Sequence, residues 1–242
     1  MSIPIAYVLS TRSVIKTLVD EAAAGGVIVD QLSFIDIEPL RTEMGPLLER
    51  PLIAILTSGN AVRSIGETGG RDWKIFCTGG TTRRLAADRF GERAILSTAD
   101  SAAALAAEII RFGPGTGAGT ASRATGSAGE VYFFCGDQRR DELPELLKQA
   151  GIKVHEKVVY RTMLTPHEIT RSYDGIAFFS PSTVESFFSV NKMAPETVAF
   201  AIGGTTAAAV RERCENPMIV GERPDAEALV RRMINYFEHK NS

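Results

Sequence analysis

Short apolar runs alternate with amphipathic stretches along almost the whole chain. The runs fall at residues 3–9, 26–29, 52–56, 74–77, 94–96, 131–135, 157–160, 175–179, 197–202 and 218–220. They are apolar throughout rather than at every second position, which is the pattern of strands covered on both faces. The stretches between them repeat at helical spacing. In residues 226–238, for example, Leu229, Met233 and Phe237 recur every fourth position and so share one helix face. Strand followed by helix, repeated from end to end, predicts βα units and mainly parallel sheets, an α/β protein.

One segment breaks the rhythm. Residues 113–129, GPGTGAGTASRATGSAG, are almost wholly Gly, Ala, Ser and Thr, so they bury little and lose much entropy if ordered. The segment predicts a flexible surface loop rather than a linker between separate domains, because a helix pattern precedes it and a strand pattern follows it in one continuing βα series.

The chain also resembles itself. Leu56-Thr57-Ser58-Gly59-Asn60-Ala61-Val62 is echoed by Phe178-Phe179-Ser180-Pro181-Ser182-Thr183-Val184, and Thr78-Gly79-Gly80-Thr81-Thr82 by Ile202-Gly203-Gly204-Thr205-Thr206. Val8-Leu9-Ser10 and Gly26-Val27-Ile28-Val29 are echoed by Phe133-Phe134-Cys135 and Gly151-Ile152-Lys153-Val154. All three pairs keep the same order at offsets of about 122 to 125 positions, the mark of a duplicated half.

Composition narrows the function classes. The 242 residues suffice for one large domain or two small ones, and 44% hydrophobic with 23% charged residues is an ordinary globular mixture. A net charge of −2 supplies no overall basic field for a nucleic-acid backbone. The N-terminus has no basic n-region, and no apolar run reaches the roughly 18 residues of a membrane span. Three scattered cysteines, Cys77, Cys135 and Cys214, suit neither a disulfide framework nor a Cys-x-x-Cys metal site, so a reducing cytoplasm is expected. Cys77 and Cys135 end apolar runs and are expected to act as small buried hydrophobes. His155, His167 and His239 lie apart in charged surroundings, as on solvated faces.

The candidate chemistry sits in the turns after the strands. Ser10-Thr11-Arg12, Thr57-Ser58-Gly59-Asn60, Gly79-Gly80-Thr81-Thr82, Cys135-Gly136-Asp137-Gln138-Arg139-Arg140, Ser180-Pro181-Ser182 and Gly203-Gly204-Thr205-Thr206 all stand where a strand's carboxyl end meets a helix. Ligands bind there in open parallel sheets, and unpaired first-turn N–H groups attract anions. Taken singly, each turn reads as an ordinary helix cap. Together, with Arg12, Arg83, Arg84, Arg139 and Arg140 nearby, they point to a ligand carrying several carboxylates or phosphates. Phosphate-loop, dinucleotide, zinc-protease and serine-hydrolase motifs are missing from the sequence. Tyr160, in the strand-like Val158-Val159-Tyr160-Arg161-Thr162, is ordinary packing or a proton donor to a leaving group.

These residues, in this order over nearly the full length, resemble the uroporphyrinogen-III synthase family. The likeness rests on Ser10-Thr11-Arg12, Thr57-Ser58-x-Asn60-Ala61-Val62, Gly79-x-x-Thr82, Arg139-Arg140-Asp141-x-Leu143, Val159-Tyr160-Arg161-Thr162, Phe179-Ser180-Pro181-Ser182 and Ile202-Gly203-x-Thr205-Thr206-Ala207. It implies two flavodoxin-like, doubly wound domains, one of residues 1–36 plus 166–242 and one of 37–165, joined by strands at Leu32 to Leu40 and Lys157 to Thr165. Both Gly-Gly-Thr-Thr turns and Tyr160 are then expected to face the gap between domains. It further implies a monomeric, cofactor-free and metal-free lyase whose small-molecule partner is the linear tetrapyrrole hydroxymethylbilane, with no nucleic acid or membrane involved. Tyr160 matches the family's candidate acid. Thr82 and Thr206 fall on its cleft threonines, with Thr205 a further substrate-binding candidate, Ser58, Ser180 and Ser182 fall on its ligand-facing serines, and Arg12, Arg139 and Arg140 supply local cations. The chain departs from the family pattern at Gly59, Thr78, Arg83 and Gly204. A non-enzymatic two-domain binder or sensor of a tetrapyrrole or sugar phosphate is the alternative; no basic output helix accompanies it.

Overall fold

The computed structural model describes residues 4–40, 44–66, 70, 72–112 and 129–240. The expected Gly-rich loop at 113–129 therefore lies, but for Gly129, outside the described residues. The chain divides into two compact units, Met1–Asp36 with Met163–Ser242, and Ile37–Thr162.

The first unit holds a five-stranded sheet of β1 (Ala6–Ser10), β2 (Val27–Gln31), β9 (Gly175–Phe178), β10 (Val198–Ala201) and β11 (Met218–Val220) in the spatial order β11-β10-β9-β1-β2. All its pairings are parallel. Helices α1 (Lys16–Ala24) and α9 (Ala226–Lys240) cover one face, where Leu18, Ala22, Leu229, Met233 and Phe237 pack on Val8, Val29 and Phe200. Helices α7 (Pro181–Val190) and α8 (Gly204–Arg211) cover the other, where Val184, Phe187 and Val210 pack on Leu9, Ile176 and Phe178. The helix face expected at Leu229, Met233 and Phe237 is buried to within 3% exposure at all three positions.

The second unit is wound the same way. Its six-stranded sheet runs β3-β8-β7-β4-β5-β6, from β3 (Ile35–Pro39), β4 (Leu52–Leu56), β5 (Trp73–Thr78), β6 (Ile95–Ala99), β7 (Glu130–Gly136) and β8 (Lys153–Leu164). Helices α2 (Gly45–Leu48), α3 (Gly59–Ser64) and α4 (Thr81–Phe90) bury Leu47, Val62 and Ala86 on one face. Helices α5 (Ala102–Phe112) and α6 (Glu142–Gln149) bury Leu105, Ile109, Leu143 and Leu147 on the other. Trp73 anchors the short α2 by donating its indole N–H to the Leu47 carbonyl at 3.1 Å, and it stacks on both Phe90 and Phe134. The fragments flanking the Gly-rich segment, α5 and β7, belong to this one unit.

The order β8-β7-β4-β5-β6 repeats β2-β1-β9-β10-β11 of the first unit strand for strand, in the same pairing as the sequence echoes. Both units are α/β with parallel-dominated sheets between helices, and both breaks between units fall inside β3 and β8, which run antiparallel to each other and are partly solvated. These two strands carry main-chain bonds from Leu40 N–H to the Val159 carbonyl (2.9 Å) and from Thr165 N–H to the Phe34 carbonyl (3.0 Å). Neither strand's full extent shows as an apolar run. β4, β9 and β10 are buried at every position, whereas β3 and β8 mix half-buried and exposed residues, with Val159 alone among them fully buried.

Candidate functional site

In each sheet the strand order reverses once, between β4 and β7 and between β1 and β9, and ligands of such sheets bind beyond the carboxyl ends at the reversal. At the reversal of the second unit lies a cavity of about 290 Å³, lined among others by Thr57, Ser58, Gly136, Arg139, Arg140 and Tyr160. Ser58 ends the β4 turn and caps α3, its Oγ accepting the Asn60 N–H at 3.1 Å. The same oxygen accepts from the Tyr160 hydroxyl at 3.3 Å, from a residue 102 positions away. Thr78 Oγ1 donates to the Thr57 carbonyl at 3.2 Å and fastens the β5 turn to the β4 turn.

Tyr160 crosses the end of β7. A Cβ on Gly136 would stand 2.5 Å from the tyrosine ring, so only glycine leaves room for it. Burial pushes the Tyr160 phenol above its ordinary value, the Ser58 hydrogen bond opposing, and it stays protonated at neutral pH, a donor. Arg139 is no open cation: it bridges Asp141 and Glu156, which neutralise it locally. Its neighbour Arg140 is exposed and forms no ion pair among the described residues.

Thr82 is not among the residues lining this cavity. It sits in the first turn of α4, 7% exposed and packed inward, while Thr81 faces out. The cap of α4 is Gly80, at φ +60°, with no side chain to accept the first N–H groups. A Cβ on Gly79 would meet Asp100 Oδ1 at 2.7 Å.

The carboxyl edge of the first unit brings together the other expected residues. Thr11 Oγ1 donates to the Ala177 carbonyl at 2.6 Å and ties the β1 end to β9, and the Arg12 guanidinium lies 5.3 Å above the Phe179 ring. Ser180 caps α7, accepting the Thr183 N–H at 3.2 Å, and Ser182 is half-buried in the first turn. At the next strand end Gly203 caps α8 without a side chain; Thr205 is exposed and Thr206 is 3% exposed, on the packed face.

Two expectations change in detail. Ser58 and Ser180 are true helix caps, whereas the Gly-Gly turns leave their helices uncapped by side chains. His155 is half-buried rather than on a solvated face, stacked on Tyr132 with Nε2 3.0 Å from Glu130 Oε2. Cys77 and Cys135 are buried, and burial pushes each thiol up to about 11, which suits packing rather than nucleophilic work. Asp137 and Gly136, which hold Tyr160, were legible only as part of a turn. Among the described residues no cluster of His, Cys, Asp and Glu could hold a metal ion, and no helix is long and apolar enough to cross a membrane.

Fold and edges together define a two-unit, doubly wound α/β protein with a hydroxyl- and arginine-bearing carboxyl edge in each unit. A family model described as uroporphyrinogen-III synthase HemD matches residues 16–231, and the chain belongs to that family. Among solved structures, uroporphyrinogen-III synthetase from Helicobacter pylori 26695 has a TM-score of 0.63 at 17% identity, over 96% of this chain and 99% of that one. A mutant uroporphyrinogen III synthase from the extremely thermophilic bacterium Thermus thermophilus has a TM-score of 0.58 at 16% identity, over 97% and 99%. At such identities the likeness speaks for the fold. No curated protein sequence matches the chain.

Proposed function

We propose that this chain closes hydroxymethylbilane to uroporphyrinogen III, losing water and inverting ring D, as a cofactor-free lyase in the cytoplasm. The observation that carries the reading is the family match over residues 16–231. In the reaction that the resemblance implies, departure of the terminal hydroxyl leaves an electrophilic azafulvene; ring attack gives a spiro intermediate, and fragmentation with recombination inverts ring D. Such chemistry asks mainly for positioning. A protonated, half-buried Tyr160 suits donation to the departing hydroxyl, with Ser58 in hydrogen-bond reach of it. Arg12, Arg140, the hydroxyls of Ser182 and Thr205, and the N–H groups at the uncapped starts of α4 and α8 suit the substrate's acetate and propionate groups. Thr82, Thr206 and Arg139 fit best as residues that shape these turns. Membership of a synthase family does not favour a pure binder.

The test is to supply hydroxymethylbilane enzymatically, oxidise the product and separate the isomers by chromatography. The type III isomer is expected; type I alone, as in the enzyme-free control, would overturn the reading. Tyr160→Phe is expected to lower kcat about a hundredfold with an unchanged unfolding midpoint. Turnover at the wild-type rate would remove Tyr160 as the acid.

A further inference from the structure

The phenol of Tyr160 reaches Ser58 only because the β7–β8 ladder is bulged. Phe134 pairs with Lys157 and Cys135 with Val158, but Gly136 pairs with Tyr160, so Val159 is an extra residue on β8. Side chains alternate between sheet faces, and without the bulge Val159 would stand opposite Gly136 and Tyr160 would turn to the other face. Val159 instead points into the core at 0% exposure, and the Tyr160 ring lies across Gly136.

One residue past the end of β7 holds this shifted register. The Asp137 N–H donates to the Tyr160 carbonyl at 3.1 Å, as in a regular parallel ladder. The Thr162 N–H, which in such a ladder would go to the Asp137 carbonyl, goes to the Asp137 side-chain Oδ1 at 3.0 Å. Asp137 thus grips β8 on both sides of Arg161 and fixes the residue carrying the phenol. Its side chain is exposed, so the grip is separable from core packing.

We propose that Asp137 is a positioning residue for the reaction, its carboxylate oxygen locking the bulged register that aims Tyr160 at Ser58. The proposal rests on the synthase reading above. Its chemistry needs only a hydrogen-bond acceptor at Oδ1, so asparagine replaces aspartate and alanine does not. Burial, and with it the Asp137 charge, also keeps the phenol protonated.

The experiment compares Asp137→Ala, Asp137→Asn and Tyr160→Phe, singly and combined, in the full chain. Asp137→Ala is expected to lower kcat about tenfold with KM within about twofold, because only the reacting geometry loosens. Asp137→Asn should stay within about twofold of wild type, and Asp137→Ala should add less than about twofold to Tyr160→Phe, since the lock acts through that phenol. Wild-type kcat in Asp137→Ala, equal impairment in Asp137→Asn, or additivity with Tyr160→Phe each overturns the proposal. A second readout is independent of turnover: the phenol's absorbance titration, taken as the difference from Tyr160→Phe, lies above the ordinary phenol value in the wild type and moves back further in Asp137→Ala than in Asp137→Asn, which loses the same charge but keeps the acceptor. If the wild type forms only the type I isomer, the synthase reading falls, and this titration still decides the lock, equal shifts in Asp137→Ala and Asp137→Asn overturning it.

Discussion

Gly-Gly-Thr-Thr opens a helix in each unit, and the two copies are glycine for different reasons. At residues 79–80 the backbone requires it: Gly80 has φ +60° with ψ −133°, a conformation open to glycine almost alone, while an added Cβ at Gly79 would meet the tip of the exposed Asp100 carboxylate. At residues 203–204 nothing within 4 Å would meet an added Cβ, and Gly203 has φ −176°, extended backbone that any residue adopts. The same contrast runs along the two carboxyl edges. In the second unit the turns are occupied by their own chain, with Tyr160 laid across Gly136 and Arg139 bridging two carboxylates. In the first, the α8 start is bare backbone with the exposed Thr205 beside it. A glycine unexplained by the chain's own packing leaves its N–H groups open to a close approach from outside, and that is the stronger sign of a binding surface.

The largest effect is expected where packing is tightest. Gly136→Ala should destabilise the protein by about 2 to 3 kcal/mol in denaturant unfolding, because the new methyl and the Tyr160 ring compete for one space, and turnover should fall with it. Next comes the direct contest between the paired turns. Gly80→Ala should lose about 1 to 2 kcal/mol through its backbone conformation, while Gly203→Ala should stay within about 0.5 kcal/mol of wild type yet raise KM several-fold. Equal stability losses at the two positions would erase the distinction, and an unchanged KM in Gly203→Ala would remove the first unit's turn from the binding surface. Last come the serine caps. Ser58→Ala and Ser180→Ala should each lose about 1 kcal/mol, but Ser58→Ala should also lower kcat, since its Oγ accepts from Tyr160 as well as from Asn60. Matched kinetic effects from the two caps would place the chemistry outside the Tyr160 cavity.

Local pattern alone determined much of this protein. Continuous apolar runs marked the buried strands, the spacing of Leu229, Met233 and Phe237 marked the packed face of α9, and the echoes paired β7 with β1, β4 with β9 and β5 with β10 before any coordinates did. Burial on both faces or along one helix stripe writes itself into neighbouring residues, so it is readable there. The family likeness, a matter of residue order, was readable for the same reason. Only the tertiary structure decided the rest. β3 and most of β8 are partly solvated and leave no continuous apolar run, so the pattern did not mark them and only the family likeness led to strands at Leu32 to Leu40 and Lys157 to Thr165. That Thr81 and Thr205 face out while Thr82 and Thr206 pack inward depends on how each helix lies on its sheet. Arg139 lost its open charge to Glu156, and Tyr160 met Ser58 across 102 positions, through sheet order and a single extra residue at Val159. Strand neighbours and register are properties of the assembled sheet, and a one-residue shift moves a side chain to the opposite face without changing any local pattern.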